Sequence, residues 1–109
     1  MANVFNNQLT SNVGTSPVTV YSTGPVTKAT VIGINISNNT TSTITASITL
    51  DDGVNTVYIV KDARIPAGTS LAAIGGDQKL VINEDSTMAV VTNTAASSDV
   101  IVSVLEITP

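Results

Sequence analysis

The side chains able to do chemistry are few, and their spacing narrows what they can do. The 109-residue chain holds eight Asp and Glu, four Lys and Arg, and no histidine or cysteine. Asp51, Asp52 and Asn55, with Asp62 further on, form a group of oxygen donors that suits a hard cation such as calcium. Their spacing matches no EF-hand loop, and Asp51-Asp52-Gly53 is already accounted for by a tight hairpin turn. Glycoside hydrolysis would need two carboxylates held across a sugar. Glu84, Asp85 and Glu106 are the candidates, but Glu84 and Asp85 fall in a turn sequence, where solvated acids are expected.

The missing residue types exclude more than the present ones suggest. Without cysteine there is no disulfide, thiolate zinc site, iron-sulfur cluster or cysteine nucleophile. Without histidine the commonest general base near neutral pH and the Ser-His-Asp relay are gone. The expectation is a protein that is not an enzyme, with no catalytic residues, no cofactor and no metal.

Charged residues make up 11% of the chain, against about 25% in an average soluble domain. The formal net charge is -4, and Lys28, Lys61, Lys79 and Arg64 form no basic stripe, so neither nucleic acid nor an anionic membrane is an expected partner. No run approaches the roughly 18 apolar residues of a membrane span. The segment Met1 to Leu9 lacks the positive and apolar regions of a secretory signal, which predicts a chain made and kept in the cytoplasm. A surface so poor in charge predicts that much of it is covered, by copies of the chain or by a larger assembly. The aromatic residues are Phe5, Tyr21 and Tyr58, with no Trp, which weighs against a platform for stacking sugars. Tyr58, mid-strand, reads as a core or interface side chain. The sequons at Asn35, Asn38 and Asn39 are expected by chance in a chain this rich in Asn, Ser and Thr.

The elements that would position these residues are strands. β-Branched residues dominate and helix signals are nearly absent. Over residues 30–37, Ile32, Ile34 and Ile36 alternate with Val31, Gly33, Asn35 and Ser37, a period of two. Ile44, Ala46, Ile48 and Leu50 read as the inward face of the next strand. Further strands are predicted over 55–61, 69–74, 78–82, 88–92 and 100–107, and one near 16–22. Turns are predicted at Asp51-Asp52-Gly53, Ile65-Pro66-Ala67-Gly68, Gly75-Gly76-Asp77 and Asn83-Glu84-Asp85-Ser86. In the last strand Ile101, Ser103, Leu105 and Ile107 share one face and Val100, Val102, Val104 and Glu106 the other. Apolar residues on both faces mark a central strand or one covered by a neighbouring subunit.

Short strands with turn signals every 8 to 12 residues or so predict an all-β fold. The expected architecture is a single antiparallel β-sandwich or jelly roll of about seven to eight strands. Its domain spans residues 13–109, preceded by an extended N-terminal arm at 1–12. Val4 to Leu9 could form one more strand, but the Asn-rich, thinly apolar segment reads as an arm. Val4, Phe5 and Leu9 are its candidate partner contacts, able to add a strand to an exposed edge or anchor in a groove.

The second half, residues 58–107, resembles small β-sandwich virion proteins of tailed bacteriophages. The likeness is to head decoration or cement proteins and related neck and tail modules. It is carried by Ile65-Pro66-Ala67-Gly68-Thr69-Ser70-Leu71, then Gln78-Lys79-Leu80-Val81-Ile82, Asn83-Glu84-Asp85-Ser86 and Val100 to Ile107. The acidic turn departs from the Pro-Gly-Asp of many relatives. The resemblance implies a structural role in the virion: a capsid decoration or cement protein, a homotrimer, binding the major capsid protein or other virion subunits and stabilising the shell. A neck, tail or fibre-attachment module and a glycan-binding surface module are the alternatives.

Overall fold

The computed structural model describes residues 2–74 and 79–108. The predicted Gly75-Gly76-Asp77 turn and the start of the strand at Gln78 lie outside the described residues. Nine strands run in order: β1 (Ala2–Val13), β2 (Val18–Ser22), β3 (Lys28–Asn38), β4 (Ile44–Asp51), β5 (Thr56–Ile65), β6 (Ser70–Ile74), β7 (Leu80–Ile82), β8 (Thr87–Thr92) and β9 (Ser98–Thr108). The described residues contain no helix, in keeping with the scarcity of good helix formers.

The strands form two antiparallel sheets. Sheet A has the order β1-β9-β3-β6, with β7 also pairing β3, and sheet B the order β2-β8-β4-β5. β6 pairs the later part of β3 and β7 the earlier part, so the two act as one broken strand along a single flank. Counted that way there are eight strand positions, four to a sheet, in the order of a jelly roll. The inner faces supply the core. Val31, Ile34, Ile36, Val100, Val102 and Val104 come from sheet A, and Val20, Ile44, Ile48, Met88 and Val90 from sheet B. Two turn glycines adopt the positive φ that their turns require, Gly53 at 92° and Gly68 at 70°. The buried Asn38 amide donates to the carbonyls of Ser42 and Ile65, both at 2.8 Å, and ties the β3–β4 loop to the end of β5. That sequon is therefore structural.

Three expectations are corrected. The alternation in β3 breaks where its register against β9 shifts between Val31 and Gly33. The extra residue of this bulge is Ile32, so Val31 is buried and Ile32 turns outward, the reverse of a strict period of two. Tyr58, read as a core or interface side chain, is exposed opposite Thr49 on the edge strand of sheet B, which removes the core half of that reading. Finally, residues 1–12 do not stand apart as an arm. From Ala2 to Thr10, β1 pairs β9 residue for residue, beginning with Ala2 opposite Thr108. The physical reason lies in β9, whose backbone would otherwise leave a row of unpaired groups beside β1. β1 needs few apolar residues because its hydrogen bonds, more than its side chains, hold it there.

The bulge gives a sharp test. Ile34→Ala empties a buried site and is expected to cost roughly 3 kcal/mol, lowering the thermal midpoint by about 10–20 °C. Ile32→Ala, the same chemical change two residues away, should cost less than about 1 kcal/mol. Circular dichroism melts of both variants check this, and equal losses would refute the placement of the bulge.

Candidate functional site

The outer face of sheet A gathers five of the exposed large apolar side chains, Phe5, Leu9, Ile32, Val81 and Ile101. Because paired residues share a face, the register of β1, β9, β3 and β7 brings Leu9 beside Ile101, Phe5 beside Leu105, and Thr30 between Leu105 and Val81. Ile107 and the bulged Ile32 complete the stripe. Phe5 is 76% exposed, Leu9 66%, Val81 60% and Ile101 43%. Phe5 and Ile32 line one shallow hollow, and Leu9 and Ile101 another. Lys28, 4.0 Å from Glu84, borders one end of the face, and Asp99, accepting the Asn12 N–H at 3.1 Å, the other.

Of the contacts expected from sequence, Phe5 and Leu9 lie on this face. Val4 does not: it alternates to the opposite side of β1, opposite Glu106. Sequence reasoning missed Ile32 and Val81. The signal for Ile101, Leu105 and Ile107 was present in the two apolar faces of β9. Ile32 was hidden by the bulge, and Val81 by the shortness of β7.

The acids are committed elsewhere. Asp51 caps the β4–β5 turn by accepting the Gly53 N–H at 2.8 Å. Asp52 accepts those of Val54 and Asn55 at 2.9 and 2.8 Å. The Asn55 N–H above all, then that of Val54, holds the Asp52 carboxyl below its usual range. Asp62 sits at a bulge in β5, at φ 51°, where its N–H donates to Ser47 Oγ at 2.9 Å. Among the described residues no cluster of three metal-ligating side chains forms. Asp85 lies in its turn at φ 55°. Glu106 points inward, accepting the Tyr21 hydroxyl at 2.5 Å and the Asn6 amide at 3.2 Å. It thereby ties sheet A to sheet B. A polar hollow among Ser37, Asn39, Thr40, Thr69 and Ser70 holds no aromatic ring, and Tyr58 has Lys61 Nζ 5.2 Å from its ring centre.

No protein-family model matches the sequence, and no curated protein matches it. Solved structures do. One is a protein of the disulfide-linked pili that form Bacillus endospore appendages, 12% identical with a TM-score of 0.55 over 97% of this chain and 88% of that one. Another belongs to the T13 particle of infectious bursal disease virus, 13% identical with a TM-score of 0.52; this chain spans 35% of its length. A pentameric capsid protein from metagenomic phage sequences is 18% identical, with a TM-score of 0.43, over 95% of this chain and 59% of that one. At these identities the first two likenesses establish the shared sandwich fold and nothing further.

The Tyr21 contact sets a pH dependence. Burial, and then the hydrogen bond to and charge of Glu106, push the phenol well above its ordinary value near 10. Above pH 10 the unfolded chain loses this proton while the folded chain keeps it. The contribution is thus complete below pH 10 and falls above it, by about 1.4 kcal/mol per pH unit. Tyr21→Phe is expected to remove roughly 1.5 kcal/mol at pH 7 and to flatten the decline above pH 10. Denaturant titrations from pH 7 to 11.5 check both.

Proposed function

We propose that this chain is a non-enzymatic structural component of a virion, attached to an assembled shell as a decoration or cement protein. The observation that carries the reading is the exposed apolar face of sheet A. Four strands about 4.8 Å apart and roughly eight residues long give the whole face a footprint of some 400–500 Å². That is about half of the 800 Å² or so per partner in a stable interface. The face mixes these apolar side chains with uncharged polar ones, Asn7 paired with Ser103 and Asn35 with Ile101, a composition that a protein partner can cover without stranding ions. Acids occupied in turns, and a chain without histidine or cysteine, support a structural over a catalytic role.

The resemblance of residues 58–107 to phage head decoration proteins supports a shell over other assemblies. The fold shared with a viral particle protein is compatible with it. The covalent route of the disulfide-linked pili is closed to a chain without cysteine. The rigid sandwich would bind through sheet A, with affinity accumulating over the many equivalent sites of a shell. Its partners would be the major capsid protein and copies of itself, and its location the virion. The resemblance implies a trimer, but the unpaired flank of β1 at the edge of sheet A favours a two-fold unit.

The test is co-sedimentation with purified empty shells of the major capsid protein encoded alongside the chain. Saturable binding is expected, weakened at least tenfold by Val81→Asp with Ile101→Asp, two outer-face changes that leave the core intact. Binding to purified tails and not to shells would replace the decoration reading with the neck or tail one. Binding to neither would overturn both.

A further inference from the structure

The exposed edges of the two sheets are unlike. On sheet B, β5 carries Lys61, Asp62 and Arg64, and its register against β4 is broken where Asp62 bulges, features that discourage a further strand. The edges formed by β2, β6 and β7 are only five, five and three residues long. β1 has twelve residues, no charged side chain and no proline, and pairs β9 without a break from Ala2 to Thr10. Among the described residues no strand pairs with its other flank. The Asn7 N–H donates to Asn6 Oδ1 at 2.9 Å, which turns it toward the open flank, where a pairing strand's carbonyl would displace that oxygen. In an antiparallel ladder, alternate residues point their N–H and C=O the same way. Phe5 and Leu9, two residues either side of Asn7, therefore present theirs to the open flank as well.

We propose that β1 pairs with β1 of a second copy of this chain, antiparallel about a two-fold axis at Asn7, joining two A sheets into one. The occupant follows from the sequence, which is self-complementary about that residue. Phe5 meets Leu9, Asn6 meets Gln8, Val4 meets Thr10, and Asn3 meets Ser11. The backbone agrees, because Phe5, Asn7 and Leu9 face their counterparts as hydrogen-bonded pairs and supply about six bonds across the axis. Moving the axis one residue, to Asn6 or Gln8, sets Phe5 against Asn7 or Ser11, an apolar ring against an amide or hydroxyl. A strand from an unrelated partner would gain nothing from this internal symmetry. The pairing also carries Phe5 and Leu9 of each copy into one apolar stripe. It goes beyond the virion reading and holds whether or not the chain binds a shell.

The cysteine-free chain allows a register-specific test. Single-cysteine variants Phe5→Cys, Asn7→Cys and Leu9→Cys are oxidised under mild conditions and scored for cross-linked dimer. Only position 7 faces itself across the axis, at about 5.5 Å between Cα atoms, within disulfide reach. Copies of position 5, or of position 9, lie roughly 13 Å apart along the strands. Asn7→Cys is expected to cross-link at least tenfold faster than the other two. Light scattering on the unmodified chain should give twice the 11.1 kDa protomer mass. Asn7→Pro, which removes an N–H that β9 does not use, should return it to a monomer with its strand signal intact. Equal or faster cross-linking at position 5 or 9, a monomeric unmodified chain at high concentration, or a three-fold mass would each overturn the proposal.

Discussion

The interaction on which the rest of the structure depends is the closing of the two inner sheet faces on each other. With no cysteine and no helix among the described residues, little else can hold this chain together. The core is almost wholly aliphatic and largely β-branched, led by Ile34, Ile36, Ile48, Val90, Val102 and Val104. Such side chains lose little rotamer freedom in a strand, and each fully buried one contributes roughly 1.5–3 kcal/mol. Val100, Val102 and Val104 place β9 at the centre of this contact. Its length lets it hold β3 on one side and β1 on the other. The candidate surface is a consequence: the strand that builds the core on its inner face presents Ile101, Leu105 and Ile107 on its outer one.

Most of the fold was legible because the strand code here is simple. Alternation in β4 and β9, the Gly53 and Gly68 turns and the absence of helix formers all point one way, and a sandwich or jelly roll follows. What was not legible depends on tertiary pairing. A bulge leaves no mark in composition, so Ile32 reads as core until its register against β9 is known. An edge strand such as β1 needs only a backbone partner, so its thin apolar content reads as an arm. Most of the candidate face was visible in the doubly apolar β9 and in Phe5 and Leu9. Val4 was grouped with them because three apolar residues in a polar setting look alike until strand alternation separates them.

The shared fold with a pilus protein and a viral particle protein narrows the physics more than the biology. A jelly roll gives a rigid body with flat faces and long edges, and assemblies use both. In this chain the polar work is internal. Asp51 and Asp52 cap a turn, Asn38 holds a loop, and Glu106 joins the sheets through Tyr21. The outer face of sheet A is left with few charges to strand, so it can be buried without the desolvation cost of unpaired ions.

Face and edge also constrain each other. A two-fold joint at β1 would place two outer faces side by side in one continuous sheet, roughly doubling the apolar patch on a single rigid body. Two linked weak contacts bind a surface far more tightly than either alone, provided that the surface repeats with matching spacing and symmetry. A two-fold body meets that condition at a local two-fold axis of a shell, where its halves contact different subunits. Reinforcement requires this geometry, since a bridge across a joint resists separation where a protein seated on one subunit does not. In a chain that cannot form disulfides, such bridging must come from the number and placement of non-covalent contacts. On the proposed reading, the uncharged edge of β1 and the apolar side chains beside it are where this sequence would supply them.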